Sequence, residues 1–221
     1  MQGDVLGVVF VYTYVAVLIL STEKVIAKKY PVASRKILHI LTGNIAFILP
    51  LFETREIMAF VAAGPFIVFT FLMSPYSPLK SFRGKTSQAG HSFGLVYYAI
   101  AWTVLAYLFF DHKVIIAVGI LSMSYGDGLA SLVGVRFGKK KYQVVHDVKS
   151  FIGSFAMFVC TFIVLLVAVF FYQVSFSYHL LLVAVVIAWV AMFVEGVTPF
   201  GLDNLSVPFI TAVLFWFFVI M

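Results

Sequence analysis

The chain has 221 residues, 63% of them apolar and only 11% charged, with a mean hydropathy of +1.09 and a formal net charge of +6. A soluble domain is nearer half apolar and a quarter charged, so the composition excludes an ordinary soluble enzyme and describes a polytopic membrane protein. The single cysteine, Cys160 in an apolar run, excludes an intramolecular disulfide and a cysteine metal cluster. The basic residues lie in loops between apolar runs, where they bear on orientation and phosphate binding rather than on nucleic acid.

Eight apolar runs follow one another, at 5–20, 37–52, 57–73, 93–110, 114–135, 151–172, 180–194 and 205–221. A membrane helix needs roughly 20 apolar residues. Several runs are shorter, so the expectation is an all-α bundle of about seven to eight transmembrane helices, some short or broken. With short loops throughout, the whole chain, 1–221, reads as one domain. The first run lacks a basic start and reads as a retained span rather than a cleaved signal. Charge then sets orientation. The loops after the first, third and fifth runs hold five, three and five Lys/Arg; those after the second and fourth hold only Arg55 and Lys113, and that after the sixth holds none. The positive-inside rule puts the N-terminus outside and the basic loops in the cytoplasm. The turn after the seventh run carries Glu195, Asp203 and Asn204 without any Lys or Arg, yet counting places it on the same cytoplasmic face.

Five stretches carry chemistry. Arg35-Lys36-x-x-His39 puts Arg35 and His39 four apart, on one helix face, at the start of an apolar run where polar groups are costly. It reads as an interfacial anchor with a satisfied histidine, or as part of a site. Gly84-Lys85-Thr86 resembles the end of a phosphate loop, but that motif requires a glycine where Leu79 stands, so a solvated basic loop is the better reading. Gly126-Asp127-Gly128 buries an acid in the fifth run, at a cost of about 3 kcal/mol. Glycines beside it suit close approach of a ligand, the alternative being an ion pair between helices. Gly134 and Gly138 have the spacing of close helix packing. Lys149-Ser150-x-x-Gly153-Ser154 offers an ammonium and free amides at a helix start, an anion cradle, or simply a serine cap. Finally Glu195-x-x-Thr198-Pro199-x-Gly201-Leu202-Asp203-Asn204 gathers hard oxygen ligands in a Gly/Pro turn, which suits magnesium bridging phosphates.

Taken together, and with Gly94-Leu95-Val96-Tyr97-Tyr98 and Arg136-Phe137-Gly138 between them, these stretches resemble the membrane-embedded phytol kinase and dolichol kinase family of lipid-alcohol kinases. They match in order over about residues 30–210, and are closer to the phytol-kinase branch. The resemblance implies transfer of a phosphoryl group from CTP, or UTP, to a long isoprenoid alcohol such as phytol, geranylgeraniol or a polyprenol/dolichol, in the lipid bilayer. It makes Asp127, Glu195 and Asp203 the expected magnesium ligands. Arg35, Lys36, Arg136 and Lys149 become the expected phosphate cations, with Gly126, Gly128, Ser150, Gly153, Ser154 and Asn204 around the nucleotide. Asp127 or His39 is the expected acceptor of the alcohol proton, and Lys149 the expected catalytic cation. Two rivals are a CTP-dependent lipid cytidylyltransferase, which would release pyrophosphate, and a transporter. A transporter would spread its polar residues through mid-bilayer and both faces, whereas here they crowd one face.

Overall fold

A computed structural model describes residues 1–83 and 93–221; the Gly84-Lys85-Thr86 stretch lies outside the described residues. The chain is a helical membrane protein. Helix α1 is Gln2–Ser21, running on as a wide turn at Thr22–Ile26. Helix α2 is Pro31–Thr42, with proline in its first turn, where no amide is needed. Beyond it the second apolar run is not one helix: it continues as tight 3₁₀ turns at Gly43–Phe47 and Leu49–Leu51, the latter holding Pro50. The third run is likewise split, into a wide turn at Ile57–Ala63 and helix α3, Pro65–Met73, on either side of Gly64. Helix α4 is Gly94–Leu108.

Helix α5, Lys113–Leu121, passes through a π-turn at Ser122–Asp127 into α6, Gly128–Phe137. This stretch is the post of the bundle. Its apolar window is 83% buried, against 22–44% in the other four long helices. Helices α7, Phe151–Phe171, α8, Tyr178–Val197, and α9, Asp203–Phe215, complete the chain, α9 ending in a wide turn at Trp216–Ile220. The post packs against α2, α4, α7 and α9. Among the described residues five helices are long and apolar enough to cross a membrane, and Ile57–Met73 and Gly94–Leu108 are shorter apolar segments.

One element departs from the all-helical expectation. The basic loop after α6 contains an antiparallel hairpin, β1 Lys141–Val144 and β2 Asp147–Ser150, with Tyr142 opposite Lys149. Its two-residue link, Val145-His146, places Val145 at φ 55° and lacks the Asn-Gly signal that marks such turns in sequence. The hairpin is tied down at both ends of its second strand. The Phe200 amide donates to the Asp147 carboxylate at 2.9 Å, and Ser150 caps α7 by accepting from the Gly153 amide at 3.2 Å.

Candidate active site

The site forms where α2, the post, the hairpin and the α8–α9 turn meet. Arg35, Lys36 and His39 come from α2; four-residue spacing puts Arg35 and His39 on one face, turned toward the post. Asp127 closes the π-turn, an irregularity of the kind often found at functional sites because it re-aims side chains within a helix. Glu195 ends α8, and Asp203 and Asn204 open α9. The link between them turns back sharply through positive φ at Phe200 and Gly201, a conformation glycine adopts freely. Pro208, one turn into α9, removes the helical hydrogen bond that would reach the Asn204 carbonyl.

These pieces converge on a cavity of about 370 Å³. Asp127, Glu195 and Asp203 each offer an oxygen, all within 4.8 Å of one another, and all three residues are buried. Residues far apart in the chain thus meet in one cluster. Uncompensated, three carboxylates at this separation would repel strongly. Cations balance them. Lys36 Nζ is 2.7 Å from Asp127 Oδ2, and His39 Nε2 is 3.9 Å from the same oxygen. Lys149 Nζ lies 2.7 Å from Glu195 Oε1 and 3.6 Å from Asp203 Oδ2, and also donates to the Glu195 backbone carbonyl. Burial alone would lower the Lys149 pKa; Glu195 first, then Asp203, outweigh it, and the net shift is upward from the usual 10.5. With Arg35, three cations face three carboxylates.

Two buried polar atoms in this shell lack a hydrogen-bond partner, Arg35 Nη1 and His39 Nε2. His39 Nε2 borders the cavity, buried and unpartnered, 3.9 Å from Asp127 Oδ2. The donor set also fits a small divalent cation. Magnesium holds hard oxygens at about 2.1 Å, so adjacent ligands stand about 3 Å apart and opposed ones about 4.2 Å; three oxygens within 4.8 Å of one another would draw closer together to share it. The Lys149 ammonium sits between Glu195 and Asp203, occupying with its own positive charge part of the place a cation would take.

Lys36, Arg35, His39, Asp127, Lys149, Ser150, Gly153, Ser154, Glu195, Asp203 and Asn204 all border the cavity. Three expected residues do not. Arg136 is exposed and lies over the Phe137 ring, 5.4 Å from its centroid, because it follows the last buried turn of α6. Gly126 and Gly128 lie against neighbouring helices. A Cβ at Gly126 would stand 2.5 Å from Met157 Sδ and 2.9 Å from Thr161 Oγ1 of α7, and a Cβ at Gly128 would collide with Ile40 of α2. The Gly153 amide, expected in an anion cradle, is taken by the Ser150 cap.

The structure adds residues that sequence reasoning passed over. Lys141, Asp147 and Ser131 border the cavity once the hairpin is formed. Gly94 has a tighter role: a Cβ there would strike the Arg35 guanidinium and stand 3.3 Å from Asn204 Nδ2. Its place in the Gly94-Leu95-Val96-Tyr97-Tyr98 stretch was the available signal.

No family model matches the chain, and no solved structure matches it. The chain is 32% identical over 211 residues to a phytol kinase of Synechocystis sp., covering 92% of this chain and 88% of that protein. It is 33% identical over 195 residues to a probable chloroplastic phytol kinase of Triticum aestivum, and 31% identical over 195 residues to the chloroplastic phytol kinase 1 of Arabidopsis thaliana. It spans 64% of the length of each of these two plant relatives. With a relative of this identity matched over nearly its whole length, the chain belongs to the phytol kinase family.

Proposed function

We propose that this protein is a lipid kinase, one domain over 1–221, that transfers the terminal phosphoryl group of a nucleoside triphosphate, CTP or UTP, to a long-chain isoprenoid alcohol. Phytol is the first candidate, because the relatives are named for it; geranylgeraniol and polyprenols are the others. The observation that carries the reading is the cluster of Asp127, Glu195 and Asp203 within 4.8 Å, faced by Arg35, Lys36 and Lys149. Phosphoryl transfer is mostly positioning and charge neutralisation, and this cavity offers both.

Asp127, Glu195 and Asp203 would hold a divalent cation, magnesium, which would supply positive charge to offset the charge that develops on the phosphate. Lys149 turns from the carboxylates to a phosphate oxygen, and Arg35 and Lys36 take the remaining phosphate charge. Asn204 orients the nucleotide. The alcohol hydroxyl lies at His39 Nε2, whose free lone pair accepts its proton, with Asp127 behind it as the alternative acceptor.

The site faces the cytoplasm in a bundle of seven to eight spans with its N-terminus outside. Charge asymmetry of the loops supports this. So does depth: Asp111, paired with Arg55 at 2.6 Å, lies just before the post and sixteen residues before Asp127, about 24 Å at 1.5 Å per residue. That separation supports opposite membrane faces for the exposed pair and the carboxylate cluster.

The test is to incubate purified protein in lipid with labelled CTP, UTP or ATP and a panel of prenyl alcohols. Lipid monophosphate and nucleoside diphosphate are expected, and Asp127→Asn should abolish both. Pyrophosphate with a nucleotide-linked lipid would replace the kinase with a cytidylyltransferase.

A further inference from the structure

A second cavity, about 90 Å³, adjoins the first, and the two meet at His39 and Leu95, which line both. It lies between α1, α2, the turn at Ile57–Ala63, α3 and α4. Among the described residues no Lys, Arg, Asp or Glu lines it. Three of its wall hydroxyls are already satisfied: Thr42 donates to the Leu38 carbonyl, Thr70 to the Phe66 carbonyl, and Tyr98 pairs with Ser124. It is therefore a space for hydrocarbon beside a space for phosphate. His39 is the partition. Its ring lies 4.4 Å from the Tyr98 ring, centroid to centroid, while Nε2, buried and without a hydrogen-bond partner, faces Asp127.

We infer that this cavity takes the hydrocarbon chain of the alcohol substrate, with the hydroxyl at His39 Nε2 and the chain running along α4 from Leu95 toward Ala106. This rests on the kinase reading above and adds to it where the lipid lies and how its length is sensed. Leu95 to Ala106 is eleven residues, about 16 Å of helix at 1.5 Å per residue. An extended chain advances about 3.5 Å per three bonds, so 16 Å holds roughly 13 to 14 bonds, somewhat over three isoprene units. At about 90 Å³ the cavity is smaller than such a chain. Met58 and Met73 on its walls, unbranched and adaptable, supply the remaining width by changing rotamer. The alcohol enters sideways from lipid between α1 and α3, where the lining residues Ile19, Phe66 and Phe69 are only part buried.

Two substitutions on α4 make the inference a measurement of length. Ala99 and Ala106 both line the cavity and are buried, four and eleven residues beyond Leu95. Wild type, Ala99→Leu and Ala106→Leu, reconstituted in lipid, are assayed with prenyl alcohols of five, ten, fifteen and twenty carbons. Ala106→Leu should lower kcat/KM for the twenty-carbon alcohol by about tenfold or more and leave the ten-carbon alcohol within about twofold. Ala99→Leu should spare only the five-carbon alcohol. A chain-length profile identical to wild type in both variants overturns the inference. In case the variants fail to fold, wild type is photolabelled with a twenty-carbon prenyl alcohol carrying a diazirine on its third isoprene unit. Adducts within 57–73 or 94–108 are expected, and adducts confined to α7, α8 or α9 overturn the inference. Failure of wild type to phosphorylate any alcohol with any nucleotide removes the kinase reading instead, and the photolabelling then decides the cavity alone.

Discussion

At the scale of single residues, the site is held by charges that have partners before any substrate arrives. Lys149 bridges Glu195 and Asp203, and removing it leaves two buried carboxylates without their cation. Lys149→Ala should therefore reduce kcat/KM by the loss of a charge-assisted phosphate contact, about 1.5–3 kcal/mol or one to two orders of magnitude. Lys113→Ala, at the far end of the post, should stay near wild type; equal effects would make Lys149 only an anchor. Because its folded pKa is raised, the stabilisation from the Lys149 charge is complete at neutral pH and is lost only as pH climbs through that raised value. Gly94 separates activity from stability. The atom a new methyl would strike is the far end of the Arg35 side chain, which can move aside. Gly94→Ala should leave the melting temperature within a few degrees of wild type and cut phosphoryl transfer at least tenfold, because Arg35 is displaced. A large fall in melting temperature with unchanged specific activity would refute this.

At the scale of elements, the π-turn and its two flanking glycines set how closely the post approaches its neighbours. The collision partners differ in stiffness. Gly126 faces Met157, a flexible thioether, whereas Gly128 faces Ile40, β-branched and held in essentially one helical rotamer. Gly126→Ala should cost about 1 kcal/mol and Gly128→Ala about 2–3 kcal/mol, the range for overpacking. Adding Ile40→Ala to Gly128→Ala should recover much of that loss. Thermal unfolding in detergent checks this: the reverse ranking, or no recovery in the double variant, would contradict the packing assignment. The hairpin is the other element of consequence. It delivers Lys149 and Ser150 from one strand end, and its anchor at Asp147 fixes the α8–α9 turn that carries Asp203.

At the scale of the whole molecule, a buried central helix lets four neighbours present their ends to one point. The proposed orientation follows from loop charge and is tested by labelling. A cysteine at Lys140, in a Cys160→Ser background, should react only from the cytoplasmic side, and one at Ser175, in the turn after α7, only from outside. Reaction of both from one side would overturn the shared-face arrangement.

Composition and apolar spacing were enough to read a helical membrane protein, and polar residues too costly for an apolar setting pointed to Asp127, His39, Lys149, Glu195 and Asp203. That inference works because the bilayer makes an unpaired charge expensive wherever it sits, so its presence requires a partner or a ligand. The sequence could not say that the fifth run was the central post, since all runs are apolar and burial by protein and by lipid look alike. It could not show that Gly126 and Gly128 lie against Met157 and Ile40, because a glycine facing a neighbouring side chain is written the same way as one facing a ligand. It missed the hairpin because Val145-His146 carries no turn signal, and with it the place of Lys141 and Asp147. That Asp127, Glu195 and Asp203 would share one site was expected from the resemblance; their approach to within 4.8 Å and the apolar cavity meeting them at His39 come from the tertiary structure. Both depend on which helix faces pack together, and in a chain this uniformly apolar that is decided by side-chain fit rather than by pattern.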